Sequence, residues 1–161
     1  MKLKHLWTII FPLIFITIVY YLLITIERYL NLPKIPFNLD FTSYVLIFIG
    51  IILIGSVFYL FDILGEGTPV PKQLTTKFIT KKLVVRGAFK YTRNPFSIGM
   101  FLIFMGIGFY HQSYVIILFT IIMIIPVHLF IVHIEERDME KRFGKAYLEY
   151  KNRVPRWLLK F

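Results

Sequence analysis

The chain has 161 residues, 57% of them hydrophobic and 17% charged, with a mean hydropathy of +0.69. An average soluble domain carries about 25% charged residues, so this sequence has too little polar surface to cover a soluble globule and far too much apolar sequence for a disordered chain. The absence of cysteine excludes disulfides, thiolate metal sites and cysteine nucleophiles, and a formal charge of +10 points to a membrane surface or a nucleic acid as partner.

Three runs, Leu6 to Ile26, Phe41 to Phe61 and Asn94 to Ile134, contain no Asp, Glu, Lys or Arg. About 20 apolar residues rising about 1.5 Å each cross a bilayer core, so each of the first two runs predicts one span. The third run is 41 residues long and breaks at Tyr110-His111-Gln112-Ser113, which predicts a hairpin of two helices over 95–110 and 114–134. The expected fold class is all-α: one multi-pass membrane domain over residues 1–161, with four transmembrane helices at about 6–26, 41–61, 95–110 and 114–134. Gly99, Gly106 and Gly108 on the third helix predict close helix approach or room for a lipid tail. Pro126 predicts a kink in the fourth helix. The first run has a basic start at Lys2 and Lys4, but no Ala, Gly or Ser precedes Ser43, so a retained anchor is expected rather than a cleaved signal.

Charge sets the expected orientation. Of the 19 Lys and Arg residues, 17 fall in the termini and the 62–93 loop and 2 in the other connections. Positive charge collects on the cytoplasmic side, so both termini and the 62–93 loop are expected there. The basic excess is then topological, and no soluble basic domain is left to bind nucleic acid.

The polar chemistry lies in two cytoplasmic segments. Asn94-Pro95 reads as a helix start, with Asn as cap and Pro at the first helical position. With Arg93 beside it, that start suits an anion; alternatively Arg93 snorkels to lipid head groups. Glu135-Glu136 follows the fourth span, and adjacent helical residues point about 100° apart, so one carboxylate faces the bundle. A carboxylate held there needs a partner, either Arg93, Arg86 or a cationic ligand, unless the pair is solvated and balances the basic tail. Gly65-x-Gly67 lets backbone approach a ligand or is a plain loop. His128 and His133 stand five apart and do not share a helix face, and His133 with Glu136 makes only two ligands, so no metal is expected. Ser97 and Ser113 lack triad partners. In the tail, Met139, Phe143, Ala146, Tyr147 and Tyr150 recur at helical spacing and predict one amphipathic helix, with an Asp138–Arg142 pair on its surface and Trp157 at the membrane interface.

Taken in order, these pieces resemble the isoprenylcysteine carboxyl methyltransferase family and its relatives, the phospholipid N-methyltransferases. The residues concerned are Gly65-Glu66-Gly67-Thr68-Pro69-Val70-Pro71, Leu83-Val84-Val85-Arg86-Gly87, Tyr91-Thr92-Arg93-Asn94-Pro95-Phe96-Ser97-Ile98-Gly99, Glu135-Glu136, Phe143-Gly144, Tyr147, Tyr150 and Val154-Pro155-Arg156-Trp157. The likeness covers about residues 60 to 157. The family pattern has Tyr where this chain has Ser97. The resemblance implies an integral-membrane methyltransferase that uses S-adenosylmethionine, releases S-adenosylhomocysteine, and takes a lipid or lipid-tailed acceptor from the bilayer. By motif matching it implies a cofactor site at Gly65, Gly67, Tyr91, Arg93, Asn94, Pro95, Gly99, Glu135 and Glu136, with Arg93 and Glu136 as the catalytic pair.

The cofactor's charges fit those residues: Arg93 and the helix start for its carboxylate, Glu135 or Glu136 for its ammonium or ribose, Tyr91 and Phe96 for its sulfonium. A carboxylate acceptor needs no base, whereas an amine must lose a proton; no base is evident in the sequence, which favours an acid or an amine arriving neutral. Two other functions fit the same spans: an NADPH-dependent enzyme of the sterol-reductase type and a non-catalytic membrane scaffold or lipid-binding protein.

Overall fold

The computed structural model describes residues 6–65 and 80–158. Among the described residues the regular elements are all helical, with no strand. Helix α1 spans Leu6–Tyr29, α2 Asp40–Leu60, α3 Pro95–Tyr110, α4 Tyr114–Phe130, α5 Glu136–Phe143 and α6 Lys145–Arg153. Two wider π turns continue the rods: Phe61–Gly65 extends α2, and Ile131–Glu135 joins α4 to α5 without a break. The hairpin thus forms with α3 at the expected bounds and its second helix starting at Tyr114 as expected, but that rod runs on past residue 134 to Phe143. Of the stretch from Gly65 to Pro71 only Gly65 is described; Gly67 and the rest lie outside the described residues.

Among the described residues, two helices are long and apolar enough to cross a membrane: Asp40–Leu64, with mean hydropathy 2.6, and Tyr114–Phe143, with mean hydropathy 3.0. This is fewer than the four spans expected. Helix α3 has only 16 residues, a rise of about 24 Å against a hydrocarbon core of about 30 Å. Helix α1 reaches 24 residues and ends in Glu27 and Arg28. Phe41, Phe48, Ile18 and Ile125 stand largely exposed, a surface suited to hydrocarbon rather than to water.

The α2–α3 interface is the most extensive in the molecule, and small residues make it. A Cβ on Gly99 would lie 2.9 Å from the carbonyl of Gly50, and one on Gly106 would lie 2.9 Å from that of Ser43. Gly108 plays the same part against Ile117 of α4. The alternative of open room for a lipid tail at these glycines does not hold, because their missing side chains are filled by neighbouring helices. Helix α4 runs through Pro126 and stays helical to Phe130.

The predicted single tail helix divides at Gly144, whose φ of +52° suits glycine, and α6 turns back from α5 there. Tyr147, Tyr150 and Val154 then pack with Leu83, Met139 and Phe143. The Asp138–Arg142 pair forms at 3.1 Å, and Arg142 also donates to the Thr80 carbonyl, tying α5 to the segment before α3. A second cluster of Val57, Phe61, Val84 and Phe89 joins the end of α2 to that segment.

The connections sort to two ends. The α1–α2 loop meets the α3–α4 turn, with Ile35 N donating to Gln112 O at 2.9 Å and Gln112 Nε2 to Phe37 O at 3.1 Å. Residues 80–94 meet the tail at the opposite end, where Arg93 N donates to Pro155 O at 2.9 Å.

Candidate functional site

At the tail end the start of α3, the end of the α4–α5 rod and residues 147–157 converge. Asn94 occupies the cap position with Pro95 behind it, as expected, but its side chain does not cap α3. Instead Asn94 Nδ2 donates to the carbonyl of Arg156 at 3.0 Å, and Thr92 Oγ1 donates to the same carbonyl at 2.9 Å. The tail is thereby laced onto the start of α3, and the Arg156 side chain is delivered to Glu136.

Glu136 is buried and gathers three cations. Arg156 Nε lies 2.6 Å from Oε1 and Nη2 lies 3.1 Å from Oε2; Lys151 Nζ lies 3.1 Å from Oε2; Arg93 Nη1 lies 2.8 Å from Oε1. Burial alone would raise the Glu136 pKa, but the hydrogen bond from Arg156 with the charges of Arg93 and Lys151 outweighs it and holds the carboxyl below its usual range. Both Glu136 oxygens are thus engaged within the fold.

Arg93 is less fully used. Its side chain is 8% exposed, yet Nε and Nη1 are buried without a hydrogen bond, because the 2.8 Å approach to Glu136 aligns no N–H on the carboxylate. A buried guanidinium with donors to spare is expensive unless an acceptor completes it. Glu135 is the converse. It is half-buried and makes no hydrogen bond or ion pair among the described residues. It begins the segment beyond the apolar run, and burial, with the neighbouring charge of Glu136, pushes its pKa up to about 7.

Arg93 and Glu135 line the same two adjoining clefts. One encloses about 470 Å³ to its open mouth, between Arg93, Asn94, Glu135, Met139, Tyr147 and Tyr150. The other, of about 550 Å³, passes Arg93, Glu135 and Pro95 to reach Phe96 and Ser97. At Phe96 and Ser97 the second cleft meets an apolar groove of about 640 Å³ between α3 and α4, walled by Met100, Phe101, Phe104, Phe119 and Met123.

A family model described as phospholipid methyltransferase matches residues 40–146. The chain belongs to that family. The match starts before the motifs quoted from the sequence and stops short of the tail, so it takes in all of α2 and leaves out Tyr150, Lys151 and Arg156. No curated protein and no solved structure matches the chain. Membership places the protein among the membrane methyltransferases.

Measured against that family, the expected site residues divide. Arg93, Asn94, Pro95, Glu135 and Glu136 come together around the clefts. Gly65 closes the π turn after α2. Tyr91 is 72% exposed and lines neither cleft, and Gly99 is buried in the α2–α3 seam, its face taken up by Gly50 and Ile54. Trp157, expected at the membrane interface, donates from Nε1 to His128 Nδ1 at 3.1 Å. The sequence reading missed Lys151 and the Arg156 side chain as partners of Glu136. Arg156 stood in a motif already singled out, and a pair of glutamates at a membrane edge needed more cations than Arg93 alone.

Proposed function

We propose that the protein moves a methyl group from S-adenosylmethionine to the carboxylate or amine head group of a membrane lipid at the cytoplasmic face. The observation that carries this reading is the pair of unfilled groups, Arg93 and Glu135, across one cleft in a member of a methyltransferase family. When bound, the cofactor supplies a methyl group on a positively charged sulfur, ready for in-line displacement. Arg93 Nε and Nη1 bind its carboxylate, and Glu136 with Arg156 and Lys151 fixes the Arg93 side chain in place. Phe61, Phe89 and Met139 give the cleft an apolar wall that excludes water. Most of the catalysis expected here is positioning, which needs a rigid frame around both reactants.

The acceptor's tail lies in the α3–α4 groove and its head group reaches the cleft past Ser97 and Phe96. Tail burial gains about 0.8 kcal/mol per CH₂, so the bilayer delivers the acceptor. The shortness of α3 supports this entry, because its start is then recessed toward the hydrocarbon. The reading counts α1 and the short α3 as spans beside the two long apolar helices and puts both termini and the 62–93 loop in the cytoplasm, supported by the uneven split of Lys and Arg. Reporter fusions after Leu39 and after His111 are expected to read external, and a cytoplasmic reading at either removes that arrangement.

Calorimetry on the purified protein tests the function. S-adenosylhomocysteine is expected to bind and NADPH to give no heat; binding of NADPH alone would replace the methyltransferase with a reductase.

A further inference from the structure

Arg156 and Trp157 are neighbours in the chain, yet they hold the α4–α5 rod at two separate places. The Arg156 guanidinium grips Glu136, just after the π turn of Ile131–Glu135. Trp157 Nε1 donates to His128 Nδ1 at 3.1 Å, just before that turn. The indole also stacks on the His128 ring, 26° from parallel with centroids 6.2 Å apart, and meets the Phe101 ring of α3 at 6.1 Å. Resting on the methyltransferase reading above, we infer that Trp157 is a positioning residue: with His128 as its acceptor it locks the π turn in register, so that Glu136 keeps Arg93 directed at the cofactor cleft.

The turn calls for such a lock. Glu136 N donates to Ile131 O, five residues back, where an α turn would reach back four. Single turns of this kind are rare and gather at functional sites. Relaxation to an α turn would swing Glu136 about 100° around the rod, away from Arg93, Lys151 and Arg156 together.

The strap of residues 154–157 is placed to oppose that swing. Its backbone is fixed to the start of α3, with Pro155 O accepting from Arg93 N and Arg156 O accepting from Thr92 Oγ1 and Asn94 Nδ2. The Arg156 and Trp157 side chains carry that anchorage to the two sides of the turn. Arg156 is long enough to follow a rotating Glu136, whereas a rigid indole stacked between His128 and Phe101 is not. An indole N–H only donates, so His128 Nδ1 is the acceptor and the ring proton sits on Nε2. Neither Trp157 nor His128 lines either cleft, so their effect on the cofactor passes through the turn, Glu136 and Arg93.

The test uses purified full-length protein in lipid nanodiscs with two readouts. Hydrogen exchange of the backbone amides at 131–136 is followed without cofactor, and S-adenosylhomocysteine affinity is measured by calorimetry. Trp157→Phe keeps a ring and removes the donor, His128→Leu removes the acceptor, and His128→Asn restores an acceptor close to the position of Nδ1. Trp157→Phe and His128→Leu are each expected to speed exchange at 131–136 about fivefold and to weaken S-adenosylhomocysteine about fivefold, within the range of one neutral hydrogen bond. The double variant should lose no more than either single one, because both remove the same bond, and His128→Asn should stay within about twofold of wild type. A contact that merely stabilised the tail would lower the melting temperature and leave the affinity of the folded protein unchanged. The inference is overturned by wild-type exchange at 131–136 in both Trp157→Phe and His128→Leu, by wild-type affinity in both, or by losses that add in the double variant. Failure of wild type to bind S-adenosylhomocysteine removes the methyltransferase reading instead, and the exchange rates then still decide whether Trp157 locks the turn.

Discussion

Both ends of the molecule bury a carboxylate, and they do so differently. At the end opposite the tail Glu27 receives a hydrogen bond from Ser113 and an ion pair from Lys34 at 2.5 Å, while Lys34 also donates to His111 O at 3.1 Å and Tyr20 bonds His111 Nε2 at 3.0 Å. Ser113 in turn caps α4 through Ile116 N. Each group there has a partner on another element, so the cluster fastens α1 and its loop to the hairpin. The tail end holds more charge and leaves it incomplete: Glu136 has three cations, Arg93 keeps two idle donors, and Glu135 has no partner. A buried polar group left unsatisfied is costly, and such groups gather where a ligand is to satisfy them. The contrast separates a fastening from a candidate site.

The most severe way to break the comparison is Glu136→Ala. Removing it leaves Arg93, Lys151 and Arg156 facing one another, and breaking a buried pair from one side costs about 3–5 kcal/mol. Thermal unfolding in detergent should fall accordingly, and S-adenosylhomocysteine binding should vanish. The same group sets an acid limit. Its folded pKa lies below the unfolded value of 4.5, so its stabilisation is complete above about pH 4.5 and is lost as pH falls through the lowered folded pKa. Glu135 has the opposite sign: its folded pKa of about 7 lies above 4.5, so stability declines as pH rises from about 4.5 to about 7, and Glu135→Gln should abolish that decline in melting curves.

Next comes Arg93→Ala. It removes the spare donors, a loss of about 1.5–3 kcal/mol in affinity, and calorimetry should show S-adenosylhomocysteine weakened about tenfold or more. Glu27→Ala should have the smallest effect. Lys34 is 54% exposed and regains water, so the cost is mainly the stranded Ser113 hydroxyl, about 1–3 kcal/mol. Melting should drop modestly while S-adenosylhomocysteine affinity stays unchanged. A binding loss there would show that the two ends are coupled.

The helices were legible because charge-free runs and turn residues mark them directly, and the hairpin bounds at 95–110 and 114 onward follow from Pro95 and Ser113. The gathering of Arg93, Asn94, Pro95 and the two glutamates was legible as well, since the motif order places them all at one end of two adjacent spans. Which of Glu135 and Glu136 meets the cations was not. Adjacent residues on a helix differ only in direction, and which direction meets Arg156 depends on a tail that returns from 20 residues downstream. Gly99 read equally well as pocket or packing, because a missing side chain says nothing about which neighbour fills the space. The split at Gly144 was hidden for a similar reason: apolar spacing continues across it, and only the backbone turns.

The π turn at Ile131–Glu135 bears on how the chain tolerates changes of length. An α turn advances about 100° per residue, so one residue gained or lost in a regular rod swings everything beyond it by that amount, enough to exchange the directions of two adjacent glutamates. A π turn carries one residue more than an α turn over the same stretch. The turn therefore sets the rotation at which the rod leaves the apolar run, the one that turns Glu135 to the clefts and Glu136 to its three cations.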